Sequence, residues 1–357
     1  MHVSHLILRN FRNYGHVDIE FDKKLNIIVG ENAEGKTNIV EAIHFLSFAR
    51  SFRTAETLDL IKNTCQFATI EARVEQDTIH KDIVALLTPS GKKITCNGKQ
   101  IKRVSDLSSL MNVLVFQPKD SLMFNDSPIV RRNFLDINLS KKSPIYLEAL
   151  MKVEKLLRER NSLLKSDKID DIQLTVVTEQ LIVQEEIIVR YRQAYIGEIN
   201  KVLSKIISSI KGENEVAELV YKQFVKADDH FTESAMRAYT RTLESDKKHK
   251  MTQVGIHRED IQMNLNGKDI STYGSQGENR LAVIALKVAP YFLIEDKEKR
   301  PIVVLDDVLS ELDPNHRKRL IEFMSKFEQV FITTTETDVL NASIYEVSKH
   351  TITRRNA

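Results

Sequence analysis

The sequence contains no tryptophan and only two cysteines, Cys65 and Cys96, among its 357 residues. These cysteines form no Cys-x-x-Cys pair and have no metal-ligand spacing, which argues against a disulfide framework and a cysteine-based zinc site. No apolar run approaches the roughly 18 residues of a membrane-spanning helix, and the first residues lack the apolar core of a signal peptide. We therefore expect a cytoplasmic protein with two reduced thiols and no membrane partner.

A large excess of one charge is also missing, because the formal net charge is only +2. That value does not by itself indicate a nucleic-acid partner. Basic clusters occur at 92–93, 131–132, 141–142, 247–250 and 317–319, and each one alone is more typical of a solvated face than of a binding site. With 42% apolar and 29% charged residues, the composition is that of a globular protein long enough for two domains.

The most informative segment is an octapeptide that matches the phosphate-binding pattern G-x-x-x-x-G-K-[ST]. It consists of Gly30, Glu31, Asn32, Ala33, Glu34, Gly35, Lys36 and Thr37. The apolar pattern predicts a buried strand at Leu25–Val29 before it and a helix at 38–46 after it. In that context backbone N–H groups and the helix dipole converge on phosphate oxygens, Lys36 adds a positive charge, and the Thr37 hydroxyl faces Mg²⁺. The sequence therefore predicts that the chain binds a nucleoside triphosphate.

A second element of such a site is predicted where the apolar strand Pro301–Leu305 ends at Asp306 and Asp307. A carboxylate at the carboxyl end of a strand beside the phosphate loop holds Mg²⁺, directly or through water, and we assign this role to Asp306. Asp307 occupies the position at which many ATPases carry a Glu that orients the attacking water, so we predict a catalytic role for it. The alternative is that Asp307 is a structural carboxylate that only supports the metal ligand.

The apolar pattern divides the chain into three segments. Residues 1–125 are predicted to be strands around the helix that follows the phosphate loop, and residues 251–357 return to strands and helices. Between them, residues 126–250 are predicted to be largely helical, with apolar repeats over Ile145–Lys165 and Ile172–Ile210. Two long helices joined by a short loop indicate an antiparallel helical hairpin, and a plain helical bundle fits the pattern equally well.

Further motifs resemble those of ABC/SMC-type ATPases. Ser275-Gln276-Gly277-Glu278, at the start of a predicted helix, resembles their signature motif, and Asp306 to Asp313 resembles their Walker B and D-loop segment. Over nearly the whole chain the sequence is similar to the RecF family of bacterial recombination-mediator ATPases. The motifs that carry this likeness are Asn10–Tyr14, Pro118–Asp120, Ser127–Asp136, Gly255–Asp260 and Thr333–Thr335.

The resemblance implies an α/β fold, in which an ABC/SMC-type P-loop ATPase head carries a largely helical second lobe. Residues 1–125 would form the N-terminal half of ATPase lobe I, and residues 251–357 would form its C-terminal half. Residues 126–250 would form lobe II, an antiparallel helical arm. This insertion has no Cys-x-x-Cys hook and is far shorter than the coiled coil of chromosome-structure SMC proteins, which suits a compact clamp.

The site residues implied by the resemblance follow from its motifs. ATP and Mg²⁺ would be the cofactors, with Lys36 and Asp307 in catalytic roles and the metal held by Thr37 and Asp306. Besides the loop Gly30–Thr37, the nucleotide would be contacted by Arg12, Asn13, Ser275 and Gly277. Gln117 lies in a plausible place for a metal-sensing glutamine loop, although a surface glutamine is the simpler interpretation.

The resemblance also implies an ATP-dependent homodimer. A Ser-Gln-Gly at a helix start offers a hydroxyl, backbone N–H groups and a positive dipole end, which would bind the γ-phosphate held by a second copy. The dimer would clamp duplex DNA near single-strand gaps regardless of base sequence and would promote recombinase loading. Slow, DNA-stimulated ATP hydrolysis would reset it, and RecR and RecO would be its protein partners. The simpler alternative is that Ser275 only caps its helix.

Two other functions fit part of the pattern. The chain could be another ABC/SMC-type ATPase subunit, chromosome-structural or transporter-like, that drives a separate partner. It could also be a P-loop kinase that closes a lid over a small acceptor. The signature and D-loop motifs together weigh against the kinase. A membrane-coupled subunit would be expected to show no ATP-dependent retention of DNA.

Overall fold

The computed structural model describes residues 1–76, 79–103, 106–107, 110–212, 214–335 and 342–355, with Glu311 described by its backbone alone. The chain divides into two compact units. Unit 1 comprises residues 1–120, 209–212 and 291–357, and unit 2 comprises residues 121–208 and 213–290.

The elements follow the coarse order that the sequence predicts, with strands around the first helix, then long helices, then strands and helices again. The strands are β1 (His2–Phe11), β2 (Tyr14–Glu20), β3 (Leu25–Val29), β4 (Ala68–Gln76), β5 (Ile79–Thr88), β6 (Gly91–Cys96), β7 (Lys99–Gln100), β8 (Val113–Phe116), β9 (Ala217–Lys222), β10 (Asp260–Leu265), β11 (Lys268–Asp269), β12 (Ile302–Asp306), β13 (Val330–Thr334), β14 (Ser343–Ser348) and β15 (Thr351–Arg354). The α-helices are α1 (Lys36–Phe48), α2 (Pro128–Lys142), α3 (Pro144–Lys165), α4 (Asp171–Lys211), α5 (Phe231–His249), α6 (Ile270–Tyr273), α7 (Gln276–Phe292) and α8 (Pro314–Met324). The predicted α/β fold class is confirmed.

Unit 1 contains two sheets over the described residues. The first is antiparallel, with strand order β2-β1-β4-β5-β6-β7. The second has the order β15-β14-β3-β13-β12-β8 and is parallel except for the terminal β14–β15 hairpin. Every residue of β3, β12 and β13 is buried, as expected for strands at the centre of a parallel sheet that is covered on both faces.

The register of the parallel sheet brings the predicted site residues to one edge. Asp306 at the end of β12 is paired with Thr333 on β13, and Thr334 is paired with Val29 at the end of β3. The chain leaves β3 through the phosphate loop and enters α1 at Lys36. Because parallel strands end at the same edge, the two motifs meet although about 270 residues separate them in sequence.

Unit 2 is mainly helical and also contains the antiparallel sheet β11-β10-β9. The two predicted long helices are present as α3 and α4. Arg160 on α3 donates hydrogen bonds to Thr178 on α4 and to Asp246 on α5, so the hairpin forms part of a helical bundle. Serine residues cap α2 and α3, each followed by proline at the first helical position, as the sequence predicts.

The unit boundaries differ from the predicted domain boundaries, and residues 251–290 make the largest difference. Residues 251–290, which sequence continuity assigns to the ATPase lobe, belong to unit 2. The physical reason is that β10 pairs with β9 and that Asp260 binds Arg131 of α2 with two hydrogen bonds. The functional lobes with boundaries at 125 and 250 stay a prediction. None of the helices within the described ranges combines the length and apolar character that crossing a membrane requires.

Candidate nucleotide-binding site

The phosphate loop depends on its two glycines. A Cβ at Gly30 would lie 2.4 Å from the carbonyl oxygen of Val347, so no larger residue fits there. Gly35 has φ +112°, and a Cβ would lie 2.8 Å from the Tyr14 hydroxyl. Ala33 also has a left-handed φ of +70°. These backbone constraints shape a loop whose helix, α1, begins at Lys36 with its N–H groups directed toward the loop.

The Lys36 side chain hydrogen-bonds to the backbone at the start of the phosphate loop. Its Nζ donates hydrogen bonds to the carbonyl oxygens of Gly30, at 2.7 Å, and Glu31, at 2.8 Å. Burial lowers the pKa of Lys36, and the negative charges of Asp307, Asp306 and Glu34 oppose that shift. A lysine so placed can transfer its donors to phosphate oxygens, and the residues present fit a bound triphosphate.

Asp306 connects the two motifs. Its Oδ1 accepts hydrogen bonds from the hydroxyls of Thr37, at 2.8 Å, and Thr333, at 2.7 Å. Burial raises the pKa of Asp306, with hydrogen bonds from Thr333 and Thr37 opposing the shift and the charge of Asp307 adding to it. Thr37 and Asp306, the two predicted metal ligands, therefore lie in direct contact.

The donor set around Thr37 and Asp306 suits a hard cation such as Mg²⁺. The described residues include no group of three or more His, Cys, Asp and Glu side chains that could hold a metal by themselves. A hydroxyl and one carboxylate match the way Mg²⁺ is bound in nucleotide sites, where phosphate oxygens and water complete the octahedron. Bound there, Mg²⁺ would neutralise phosphate charge.

Asp307 has an unusual backbone. Its φ is +50°, a left-handed conformation that is uncommon for a residue other than glycine. The conformation is held by its N–H, which donates to the Thr333 hydroxyl at 2.9 Å, while its carbonyl oxygen accepts from Ser310 at 3.2 Å. Strain of this kind, over-determined by neighbours, is common at functional sites. It is compatible with the predicted catalytic role and with the structural alternative.

Arg12 lies beside the loop helix and binds a buried carboxylate. Its Nε and Nη2 form a bidentate pair with Glu41, at 2.9 and 2.6 Å, and its Nη1 donates to the carbonyl of Asp59 at 2.8 Å. Glu41 has no exposed surface and also accepts from Arg53 at 3.5 Å. The structure thus places Arg12 in an ion-pair network on α1, and its contact with nucleotide stays a prediction.

Asn13 contacts the loop directly. Its Nδ2 lies 3.4 Å from the Glu34 carbonyl oxygen and its Oδ1 accepts from Asn38 Nδ2 at 2.7 Å. The neighbouring Tyr14 is fully buried, and within the described residues neither its hydroxyl nor Glu34 Oε2 has a hydrogen-bond partner. Burial, and then the charge of Glu34, raise the pKa of Tyr14. A polar group without a partner at this position can hydrogen-bond to a ligand or to water.

Ser275 and Gly277 lie in unit 2 at the start of α7. The Ser275 hydroxyl accepts from the Glu278 N–H at 3.2 Å, and the Glu278 carboxylate accepts from the Ser275 N–H at 3.0 Å. This reciprocal pair is a capping box. The buried Asn279 also donates to the carbonyl oxygens of Ile270, Gly274 and Ser275. The segment before α7 is therefore fixed, Ser275 is exposed, and a Cβ at Gly277 would meet open space.

Three residues at the site were not predicted from sequence. Thr333 binds both Asp306 and Asp307, and the sequence indicates it only as part of the motif Thr333–Thr335, to which no site role is assigned. Glu41 binds Arg12, a pairing without a local pattern. His350 lies beside Asn13 and Glu34. Gln117, interpreted as a surface residue, follows β8, whose Phe116 is paired with Leu305, so it lies near the same sheet edge as Asp306.

Comparison with known proteins gives consistent matches. Residues 2–356 match the family described as RecF/RecN/SMC N terminal domain. The chain is 35% identical to DNA replication and repair protein RecF of Halalkalibacterium halodurans over 370 aligned positions, covering 99% of this chain and 100% of that protein. It is 34% identical to the Bacillus subtilis protein of the same name over 348 positions, covering 95% and 94%.

Solved structures agree with these matches. A structure of "the recombination mediator protein RecF-ATPrS in RecFOR pathway" matches with a TM-score of 0.84 and 31% identity, covering 99% of this chain and 98% of that one. The Smc head domain of Pyrococcus furiosus matches with a TM-score of 0.62 and 19% identity, covering 99% and 96%, and this likeness shows the fold alone.

Proposed function

The chain belongs to the RecF family, and we propose on that basis that it is an ATP-dependent DNA-binding protein of recombinational repair and replication-fork maintenance. The single observation that carries the proposal is the contact between Thr37 of the phosphate loop and Asp306 at the tip of β12. This contact joins a phosphate cradle to a metal-binding carboxylate, the minimum that ATP hydrolysis requires. A related structure described as RecF-ATP supports ATP as the nucleotide.

In this proposal, separate residues of the site bind the phosphates, hold the metal and orient the attacking water. Backbone N–H groups of Gly30–Thr37 and the Lys36 ammonium bind the phosphates, while Thr37 and Asp306 hold Mg²⁺. Asp307 orients the attacking water. Thr333 donates to the Asp306 carboxylate and accepts from the Asp307 backbone N–H, which keeps both residues in place. Slow, DNA-stimulated hydrolysis at this site would act as a switch.

The switch acts through dimerisation. The start of α1 would bind the phosphates of the ATP held by this chain's own loop. The exposed and fixed start of α7 would then bind a phosphate of a different ATP molecule. We assign that phosphate to ATP held by a second copy, which gives a two-fold dimer with two nucleotides at its interface. Ser275 and Gly277 would make these contacts. ATP then stabilises the dimer, and hydrolysis releases it.

The dimer would clamp duplex DNA near single-strand gaps and promote recombinase loading. Contacts with DNA would go to the backbone and depend steeply on salt, because basic pairs recur in both units and no base-reading motif is present in the sequence. RecR and RecO would be its protein partners, which the pathway named for the related structure supports.

The proposal is tested by replacing the ammonium of the loop. Lys36→Met should weaken ATP binding by about 100-fold, because a charge-assisted pair of hydrogen bonds is lost, and should abolish ATP-dependent retention of DNA. Lys24→Met is a matched control, since Lys24 is 60% exposed and its ammonium pairs with Glu328 at a long 3.8 Å. Nucleotide binding is followed by calorimetry and DNA retention by filter binding. Wild-type behaviour of Lys36→Met in both would show that this loop is not the ATP site.

A further inference from the structure

The β14–β15 hairpin contacts the first residue of the phosphate loop. Strand β14 runs parallel to β3, and their register pairs Glu346 with Val29. The next residue on β14, Val347, therefore lies beside Gly30. The fit is so close that a Cβ on Gly30 would come within 2.4 Å of the Val347 carbonyl oxygen.

The tip of the same hairpin contacts the far end of the loop. Lys349 and His350 have φ of +47° and +60°, a two-residue turn that matches the twist of the flanking strands. This turn places His350 Nδ1 2.7 Å from Asn13 Nδ2 and 3.2 Å from the carbonyl oxygen of Glu34. The loop is thus held by one hairpin at both of its ends.

We propose that His350 is a positioning residue for the phosphate loop, which together with Asn13 fixes the Glu34–Gly35 backbone before nucleotide binds. The inference rests on the proposed binding of ATP at this loop. Glu31, Asn32 and Ala33 are exposed, so the loop depends on contacts at its ends for a fixed shape. A loop that is already in its binding conformation loses less conformational entropy when phosphate binds.

The contact selects one neutral tautomer of His350. With the ring proton on Nε2, Nδ1 accepts from Asn13, whose Nδ2 also lies 3.4 Å from the Glu34 carbonyl oxygen. A proton on Nδ1 would set two N–H donors against each other at 2.7 Å, which disfavours that tautomer. Asn38 fixes the orientation of the Asn13 amide by donating to its Oδ1 at 2.7 Å. Loss of the imidazole removes the acceptor that holds Asn13 against the loop.

The first test measures ATP affinity by calorimetry in a set of full-length variants. His350→Ala should weaken ATP binding by about three- to tenfold, the size expected for one or two hydrogen bonds. His350→Asn, which keeps a polar group near the position of Nδ1, should restore most of the affinity. His16→Ala, at an exposed histidine on β2, is the matched control and should bind like wild type. Equal affinity of His350→Ala and wild type would overturn the inference.

The second test asks whether His350 acts through Asn13. If it does, Asn13→Ala combined with His350→Ala should bind ATP no more weakly than Asn13→Ala alone, whereas independent contributions would multiply. Hydrogen exchange without nucleotide gives a readout that needs no activity, and the amides of Glu34 and Gly35 should exchange faster in His350→Ala than in wild type. Unchanged exchange there would contradict positioning. Failure of wild type itself to bind ATP would instead refute the proposed function, while the exchange measurement would still decide the role of His350.

Discussion

The buried arginines of unit 2 and the polar groups beneath the phosphate loop of unit 1 differ in how fully they are paired. In unit 2, Arg160 and Arg192 are each only 1% exposed, and both donate several hydrogen bonds to internal partners. Arg192 alone donates to Asp136, to Glu259, to the Tyr146 hydroxyl and to the carbonyl of Ile256. In unit 1, the loop region leaves Tyr14 Oη and Glu34 Oε2 without partners among the described residues. Internally satisfied charges fix a structure, whereas polar groups with spare capacity can bind a ligand.

Removal of a buried, paired arginine from unit 2 should give the largest effect on stability. Arg192→Ala should lower the free energy of unfolding by about 3–5 kcal/mol, because the fully buried Glu259 and the half-buried Asp136 would lose their counter-charge. Arg190→Ala, two residues away on the same helix at a side chain that is 44% exposed and pairs with Glu186, should cost about 0.5 kcal/mol or less. Urea unfolding measures both. Similar losses in the two variants would show that burial in unit 2 does not make these charges structural.

Within the site, the roles of the two carboxylates, Asp306 and Asp307, can be distinguished by single substitutions. Asp306→Asn should weaken binding of Mg-ATP, since it removes the negative charge of the proposed metal ligand, while the amide oxygen can still accept from Thr37 and Thr333. Asp307→Asn should leave binding nearly unchanged and lower kcat by about 100-fold, because only the orientation of water is lost. Binding isotherms and steady-state hydrolysis distinguish the two. An equal loss of ATP binding in both variants would mean that Asp307 is merely structural.

A smaller effect concerns Glu185 in unit 2, which accepts from the Tyr239 hydroxyl and the Ile256 N–H. Burial raises its pKa to about 8, and burial lowers the pKa of His257 to about 4. Between pH 4.5 and 6.5 the two groups oppose each other, because the folded state binds the extra proton at Glu185 and the unfolded state binds it at histidine. Above pH 6.5 only Glu185 contributes, so stability falls as pH rises toward 8.

The free energy of unfolding should fall by about 2 kcal/mol between pH 6.5 and pH 8. Glu185→Gln mimics the protonated carboxyl and should abolish it, giving a flat unfolding free energy from pH 6.5 to 8 in urea titrations. ATP affinity should not follow the change, because Glu185 belongs to the saturated interior of unit 2. If the variant kept the wild-type slope, the carboxyl at 185 would not be the group that titrates.

The site core could be predicted because its signals are local. The strand–loop–helix pattern around Gly30–Thr37 and the apolar strand ending at Asp306 are written in consecutive residues, and a parallel sheet brings strand ends together. The capping box of Ser275 and Glu278 is also a local pattern, Ser-x-x-Glu before an apolar helix. It was anticipated only as the alternative in which Ser275 caps its helix.

The rest depends on contacts between distant segments. Arg12 binds Glu41 across 29 positions, and His350 reaches Asn13 across 337, so no periodicity in the sequence reports either pair. The membership of residues 251–290 in unit 2 is decided by the pairing of β10 with β9, which chain order does not reveal. The left-handed backbone of Asp307 likewise follows from Thr333 on a neighbouring strand. Such pairings arise from the packed fold and not from local propensity.

The central claim is that ATP joins two copies through the start of α7, and sedimentation velocity tests it most directly. Wild type, Ser275→Arg and the control Ser162→Arg, at an exposed serine on α3, are compared with and without ATP and duplex DNA. We predict that wild type and the control form ATP-dependent dimers that retain DNA. Ser275→Arg should bind ATP as a monomer and retain none. ATP-dependent dimers of Ser275→Arg, or a wild type that stays monomeric with ATP and DNA, would contradict the account.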